Sequence, residues 1–144
     1  MMLAAAIFIV SVVVALQFFV YFCHSRVVGA REIPARVASI AGLASRPAGP
    51  RQCRQGYFAI SSLLRMIPNN IAPQRPVREW AGAISAYFAF LRLGHTLSDS
   101  LGLSSLGGPV TSEMAHAVAY LGGVADRRIE RLSTALGRVA ALDF

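Results

Sequence analysis

The opening apolar stretch constrains this chain more than any other feature. Met1 to Phe22 is interrupted only by Ser11 and Gln17, and no charged side chain occurs before Arg26. At ~1.5 Å per residue the stretch covers roughly 33 Å, enough for a hydrocarbon core of about 30 Å. Lipid offers the backbone no hydrogen-bond partners, so the segment must be helical. Phe18, Phe19, Tyr21 and Phe22 gather at its C-terminal end, where Tyr21 suits the headgroup level. A cleaved signal peptide fits poorly. There is no basic leading region, the apolar stretch exceeds the usual ~7–15 residues, and no small-x-small site follows directly. Bulky Phe22 before Cys23 argues against lipidation of that cysteine. The expectation is an uncleaved anchor over residues 1–23.

The flanks predict its orientation. Arg26, Arg31 and Arg36 follow the apolar stretch, and only the terminal amine precedes it. Positive flanks stay cytoplasmic, which places the N-terminus outside and the rest of the chain inside a bacterial-type inner membrane. The same three arginines would be drawn to anionic headgroups, at about 1 kcal/mol each. The net charge of +7 is local in the same way. Residues 26–54 hold Arg26, Arg31, Arg36, Arg46, Arg51 and Arg54 against Glu32 alone. All 14 basic side chains are arginine, a bias that GC-rich codons produce without any function behind it.

Of the 144 residues, 55% are hydrophobic and 15% charged, which excludes a disordered chain and argues against a wholly water-soluble one. The remainder reads as helical throughout. Residues 24–54 form a basic juxtamembrane helix and loop, with Ile33, Val37, Ile40 and Ala44 lining one face of a helix over 31–45. Arg46 to Pro50 then breaks the chain. Residues 55–144 read as a helical cytoplasmic domain packing against 31–45. Tyr57, Phe58, Ile60, Leu63, Leu64 and Ile67 have helical period, stopped by Pro68. Pro76 opens a further helix through Val77, Trp80, Ile84, Tyr87, Phe88 and Leu91. Its uncharged run from Trp80 to Leu91 has the length of a buried core helix rather than a second crossing. Residues 94–109, rich in Gly and Ser, read as a loop with one short helical turn.

The last helix is expected to begin near Pro109–Ser112, with Glu113 facing its positive N-terminal dipole. Met114, Val118, Leu121, Ala125, Ile129, Leu132, Leu136 and Val139 form a continuous stripe at spacings of three and four. That stripe predicts burial of Leu121 and Leu132, and it places Arg128 on a solvated charged face. Gly122-Gly123 within it predicts a kink or a close helix contact. The anchor is expected to be separable, so that a fragment from Arg31 onward folds alone. The fold class is therefore all-α: one transmembrane helix followed by a domain of about four helices.

Candidate chemistry is sparse. Glu113 and His116 form an E-x-x-H pair, the i,i+3 arrangement used in di-iron bundles. Such centres need two copies and further carboxylates, and this chain has seven acids in all. Glu113 and His116 are thus the weak metal-ligand candidates. Cys23, His24, Cys53 and His95 are the remaining soft ligands, without C-x-x-C, C-x-x-C-H or H-E-x-x-H spacing. Two cysteines in a cytoplasmic domain should be free thiols. Ser104-Ser105 does not make a nucleophile elbow. No nucleic-acid motif accompanies the arginines, and Arg127, Arg128 and Arg131 are interleaved with Asp126 and Glu130. No catalytic, cofactor-binding or metal residue is assigned, and no cofactor is expected.

The function this points to is a bitopic membrane protein with a helical protein-interaction domain. Its partners are the bilayer and an unidentified protein, or a second copy of the chain. Two alternatives differ in class. A metal- or haem-associated enzyme or redox accessory would hold its group on His95 or His116 and show stoichiometric metal. A membrane-tethered nucleic-acid-binding regulator, the less favoured partner class, would shift DNA in a salt-dependent way.

Overall fold

The computed structural model describes residues 2–28, 49–67 and 80–142. Among them lie four helices and no strand: α1 (Met2–Val27), α2 (Pro50–Met66), α3 (Ala81–Ser100) and α4 (Ser104–Leu142). The chain is all-α, with a long apolar N-terminal helix leading into a helical domain, as the sequence predicts. The helix expected over 31–45, the stop at Pro68 and the opening at Pro76 lie outside the described residues.

Helix α4 is the spine on which α1, α2 and α3 pack. The core is built from Ile84, Tyr87, Phe88 and Leu91 of α3 and from Met114, Ala117, Val118, Leu121 and Ala125 of α4. Cys53 and Ile60 enter from α2, and Cys23 and Val27 from α1. The Tyr57 and Phe88 rings stack at 4.2 Å and 7°, joining α2 to α3. Burial of these side chains, at about 25 cal/mol per Å² of apolar surface, is what holds the helices together.

Helix α1 divides into two parts. Residues 2–18 are exposed and carry the apolar surface expected of an anchor. From Phe19 onward the helix turns one face into the domain, and Cys23 and Val27 are completely buried. The helix runs unbroken through both. The same helix thus supplies the apolar stretch and part of the core.

Helix α2 starts earlier than its apolar period suggests. Gly49 is extended, Pro50 occupies the first helical position, and the Gly49 N–H donates to Gln52 Oε1 at 3.3 Å. The proline read as a chain breaker is thus a helix opener.

The expected loop over 94–109 is only three residues long. Helix α3 continues to Ser100, and Gly102 has φ +69°. The Leu103 N–H donates to the Ser98 carbonyl at 2.9 Å and the Gly102 N–H to the Asp99 carbonyl at 3.3 Å. This pair of bonds is a Schellman closure, and it needs a residue tolerant of the left-handed region at Gly102. Helix α4 then begins at Ser104, with Pro109 inside it. The ring costs one backbone hydrogen bond but does not break the helix.

The stripe on α4 behaves differently at its two ends. Leu121, Val124 and Ala125 are fully buried. Ile129 and Leu132 are only half-buried, which corrects the expectation for Leu132. Leu136 and Val139 are exposed. Arg128 is also corrected: its Nη1 donates to the main-chain carbonyls of Leu64 at 3.0 Å and Ile67 at 3.4 Å, at the C-terminus of α2. A cation there satisfies carbonyls that the helix itself leaves open and complements its negative end.

Candidate functional site

The polar centre of the fold is the Glu113 carboxylate, where three helices meet. Glu113 is the tenth residue of α4 rather than part of its first turn, so it does not serve the helix dipole as the sequence suggests. Its Oε2 accepts the Tyr87 hydroxyl of α3 at 3.1 Å. The same oxygen lies 3.0 Å from Nδ1 of His24 on α1. Oε1 lies 3.8 Å from Nδ1 of His116, one turn further along α4. The carboxylate therefore joins α1, α3 and α4 through one side chain.

Exposure grades across this cluster. The Tyr87 side chain is buried, Glu113 is mostly covered, and His24 and His116 reach solvent. His116 Nδ1 is itself buried and makes no hydrogen bond. Desolvation raises the Tyr87 phenol well above its ordinary range, and the neighbouring Glu113 charge and hydrogen bond push it the same way. A phenol that keeps its proton remains a donor, which suits the carboxylate beside it.

The sequence names Glu113 and His116 as a pair, and the structure does bring their side chains to one face. It adds His24 and Tyr87. His24 reads in the sequence only as a soft ligand beside Cys23, and Tyr87 only as an apolar position. Nothing in their spacing from Glu113 signals the meeting, because both contacts depend on how α1 and α3 dock. Among the described residues, no group of three or more His, Cys, Asp or Glu side chains is arranged to hold a metal ion. His95 lies apart from this cluster and pairs with Asp99 at 3.5 Å, one turn along α3.

A second group surrounds the end of α1. The Arg26 guanidinium stands over the Phe22 ring at 5.4 Å and the Trp80 ring at 5.9 Å, and the two rings meet edge-on at 4.9 Å. Arginine, tryptophan and nearby Tyr21 are residues that favour a membrane–water boundary. Arg31 and Arg36, the other expected headgroup contacts, lie outside the described residues. Neither Cys23 nor Cys53 is in a disulfide; both are buried, and burial pushes the Cys53 thiol up. Neither is placed as a reactive nucleophile, which would need exposure and a lowered value.

No protein-family model, curated protein or solved structure matches this chain.

Proposed function

We propose that the chain is a bitopic inner-membrane protein, N-terminus outside, whose cytoplasmic helical domain binds a protein partner through the free end of α4. The observation that carries the reading is the division of α1. Its apolar residues 2–18 face outward, and its end is locked into the domain by Cys23 and Val27. Cleavage after Phe22 would remove Phe19, Val20 and Phe22, which pack against the core, so the packing supports an anchor retained in the mature protein. Arg26 at the helix end supports the inside assignment of the domain.

The partner-binding face rests on the far end of the molecule. Ile129, Leu132, Leu136 and Val139 continue the apolar stripe beyond the core, with Arg127, Glu130, Arg131 and Arg138 beside it. An exposed stripe at this spacing matches another amphipathic helix.

The test uses the full chain in bacterial membranes. It should resist alkaline carbonate extraction and keep its original N-terminus. A phosphatase fused after Phe144 should be inactive, and a cytoplasmic reporter at the same position should be active. An N-terminus beginning beyond Phe22 would overturn the anchor, and an active phosphatase would overturn the orientation. Deleting residues 132–144 should release a co-purifying protein while leaving the chain in the membrane.

A further inference from the structure

We infer that the α3–α4 hairpin is itself a membrane-contacting element, with the outer face of α3 and the turn at Leu101–Leu103 lying in the bilayer leaflet beside α1. The inference rests on the anchor reading above and extends it to a second surface.

Direction comes first. Three contacts fix how α3 runs against α1: Trp80 lies under Arg26, the Ala83 carbonyl lies 4.0 Å from Cys23 Sγ, and the Tyr87 ring meets Phe19 at 6.5 Å. As α3 advances, its partners on α1 step backward toward the apolar stretch. The two helices are antiparallel where they touch. The hairpin turn, roughly 21 Å beyond Tyr87 at ~1.5 Å per residue, therefore lies on the anchor's side of the domain.

Composition comes second. Between Ala81 and Ser112 the only formally charged residues are Arg92 and Asp99, and residues 100–112 carry none. The opposite end of the domain is densely charged, from Asp126 to Arg131.

Surface comes third. Gly82, Ala86, Ala89, Phe90, Leu93 and Leu97 are successive positions on one exposed face of α3, and Leu101 extends the row into the turn. Leu97 is 52% exposed and Leu101 70%. The row lies on the side of the helix away from Ile84, Tyr87 and Leu91, so α3 is apolar on two faces. A narrow polar strip of Arg92, Thr96 and Asp99 separates them on one side. One apolar face is used by the core, and the other resembles that of a helix lying in a membrane interface.

Hydroxyl bonding comes fourth. Thr96 donates to the Arg92 carbonyl at 3.0 Å, Ser100 to the Leu97 carbonyl at 2.9 Å and Thr111 to the Gly107 carbonyl at 2.7 Å. Each hydroxyl is satisfied within its own helix, as Ser133 and Thr134 are at the far end, so none of the three opposes burial in hydrocarbon.

The test reconstitutes the full chain in phosphatidylglycerol–phosphatidylcholine vesicles. Leu97→Cys, Leu101→Cys, Val13→Cys and Ser133→Cys are each labelled with an environment-sensitive fluorophore. The unsubstituted chain, whose two cysteines are buried, supplies the labelling background. Brominated acyl chains should quench the labels at 97 and 101, as they quench the label at 13, and leave the label at 133 bright. Circular dichroism confirms that each variant keeps its helices. Labels at 97 and 101 that are unquenched and open to a water-soluble quencher would overturn the inference while the label at 13 preserves the anchor. Labels shielded from both quenchers, with energy transfer between copies, would overturn it in favour of self-association. A chain that fails to float with the vesicles would remove the anchor reading and this inference together.

Discussion

The Arg128 guanidinium donates to the Leu64 carbonyl at 3.0 Å, so the end of α2 is closed by a side chain 64 residues away. Hydrogen bonds to charged groups contribute about 1.5–3 kcal/mol. Arg128→Ala should cost that much in equilibrium unfolding in mild detergent. A solvated arginine would cost under about 0.5 kcal/mol, and a result that small would mean the contact is not made.

The Tyr87 phenol gives a pH dependence of known sign. Its raised value means that the folded chain holds this proton more tightly than the unfolded chain, whose tyrosine titrates near pH ~10. The resulting stability is fully present below about pH 10 and is lost as pH rises from there toward the folded value. The slope approaches about 1.4 kcal/mol per pH unit. Tyr87→Phe should flatten this alkaline limb. Denaturant midpoints between about pH 9 and 11 compare the two chains; parallel curves would contradict the buried contact.

The α4 stripe should lose energetic weight along its length. Leu121→Ala should destabilise by about 2–5 kcal/mol, as truncation of a buried leucine does. Leu136, at 60% exposure, should change stability by less than about 0.5 kcal/mol. Leu132→Ala should fall between them. Equal losses at 121 and 136 would mean that the far end of α4 is covered in the monomer.

Removing residues 1–30 should do more than delete the apolar stretch. Cys23, Val27 and the His24–Glu113 contact go with it. The shortened chain should unfold at lower denaturant than the full chain, or aggregate, in the same detergent. Equal midpoints would show that α1 packs without stabilising.

Gly102→Ala should cost about 1–2 kcal/mol, the strain of a side chain in the left-handed region. Nothing lies within 4 Å of the added carbon, so crowding does not contribute. Thermal melts of the two chains measure the difference.

The helices were legible wherever burial imposed a period: Ile84, Tyr87, Phe88 and Leu91 on α3, and Met114 to Ala125 on α4. The α3–α4 connection was not, because Gly and Ser between 94 and 109 dilute the pattern, and the only demanding backbone position is Gly102. Arg128 and Leu132 depart from the stripe's expectation for a different reason. A stripe records which side of a helix is apolar, not where its neighbours end. Half of the polar centre was visible as Glu113 and His116. His24 and Tyr87 joined it only through tertiary docking, which leaves no mark on local spacing.

The overhang of α4 makes the molecule sensitive to rotational phase. From Leu132 to Leu142 the helix extends roughly 15 Å at ~1.5 Å per residue. It returns antiparallel to α3 and so leads away from the Leu101–Leu103 turn. A partner bound there, as proposed above, would meet Leu136 and Val139 at a fixed angle about the helix axis. One residue inserted between Ser133 and Thr134 would swing those two side chains by about 100° relative to Leu132 while lengthening the rod by only ~1.5 Å. Seven inserted residues would lengthen it by roughly 10 Å yet return the stripe to within about 20° of its original bearing. Recognition governed by the stripe should survive the larger insertion better than the smaller one.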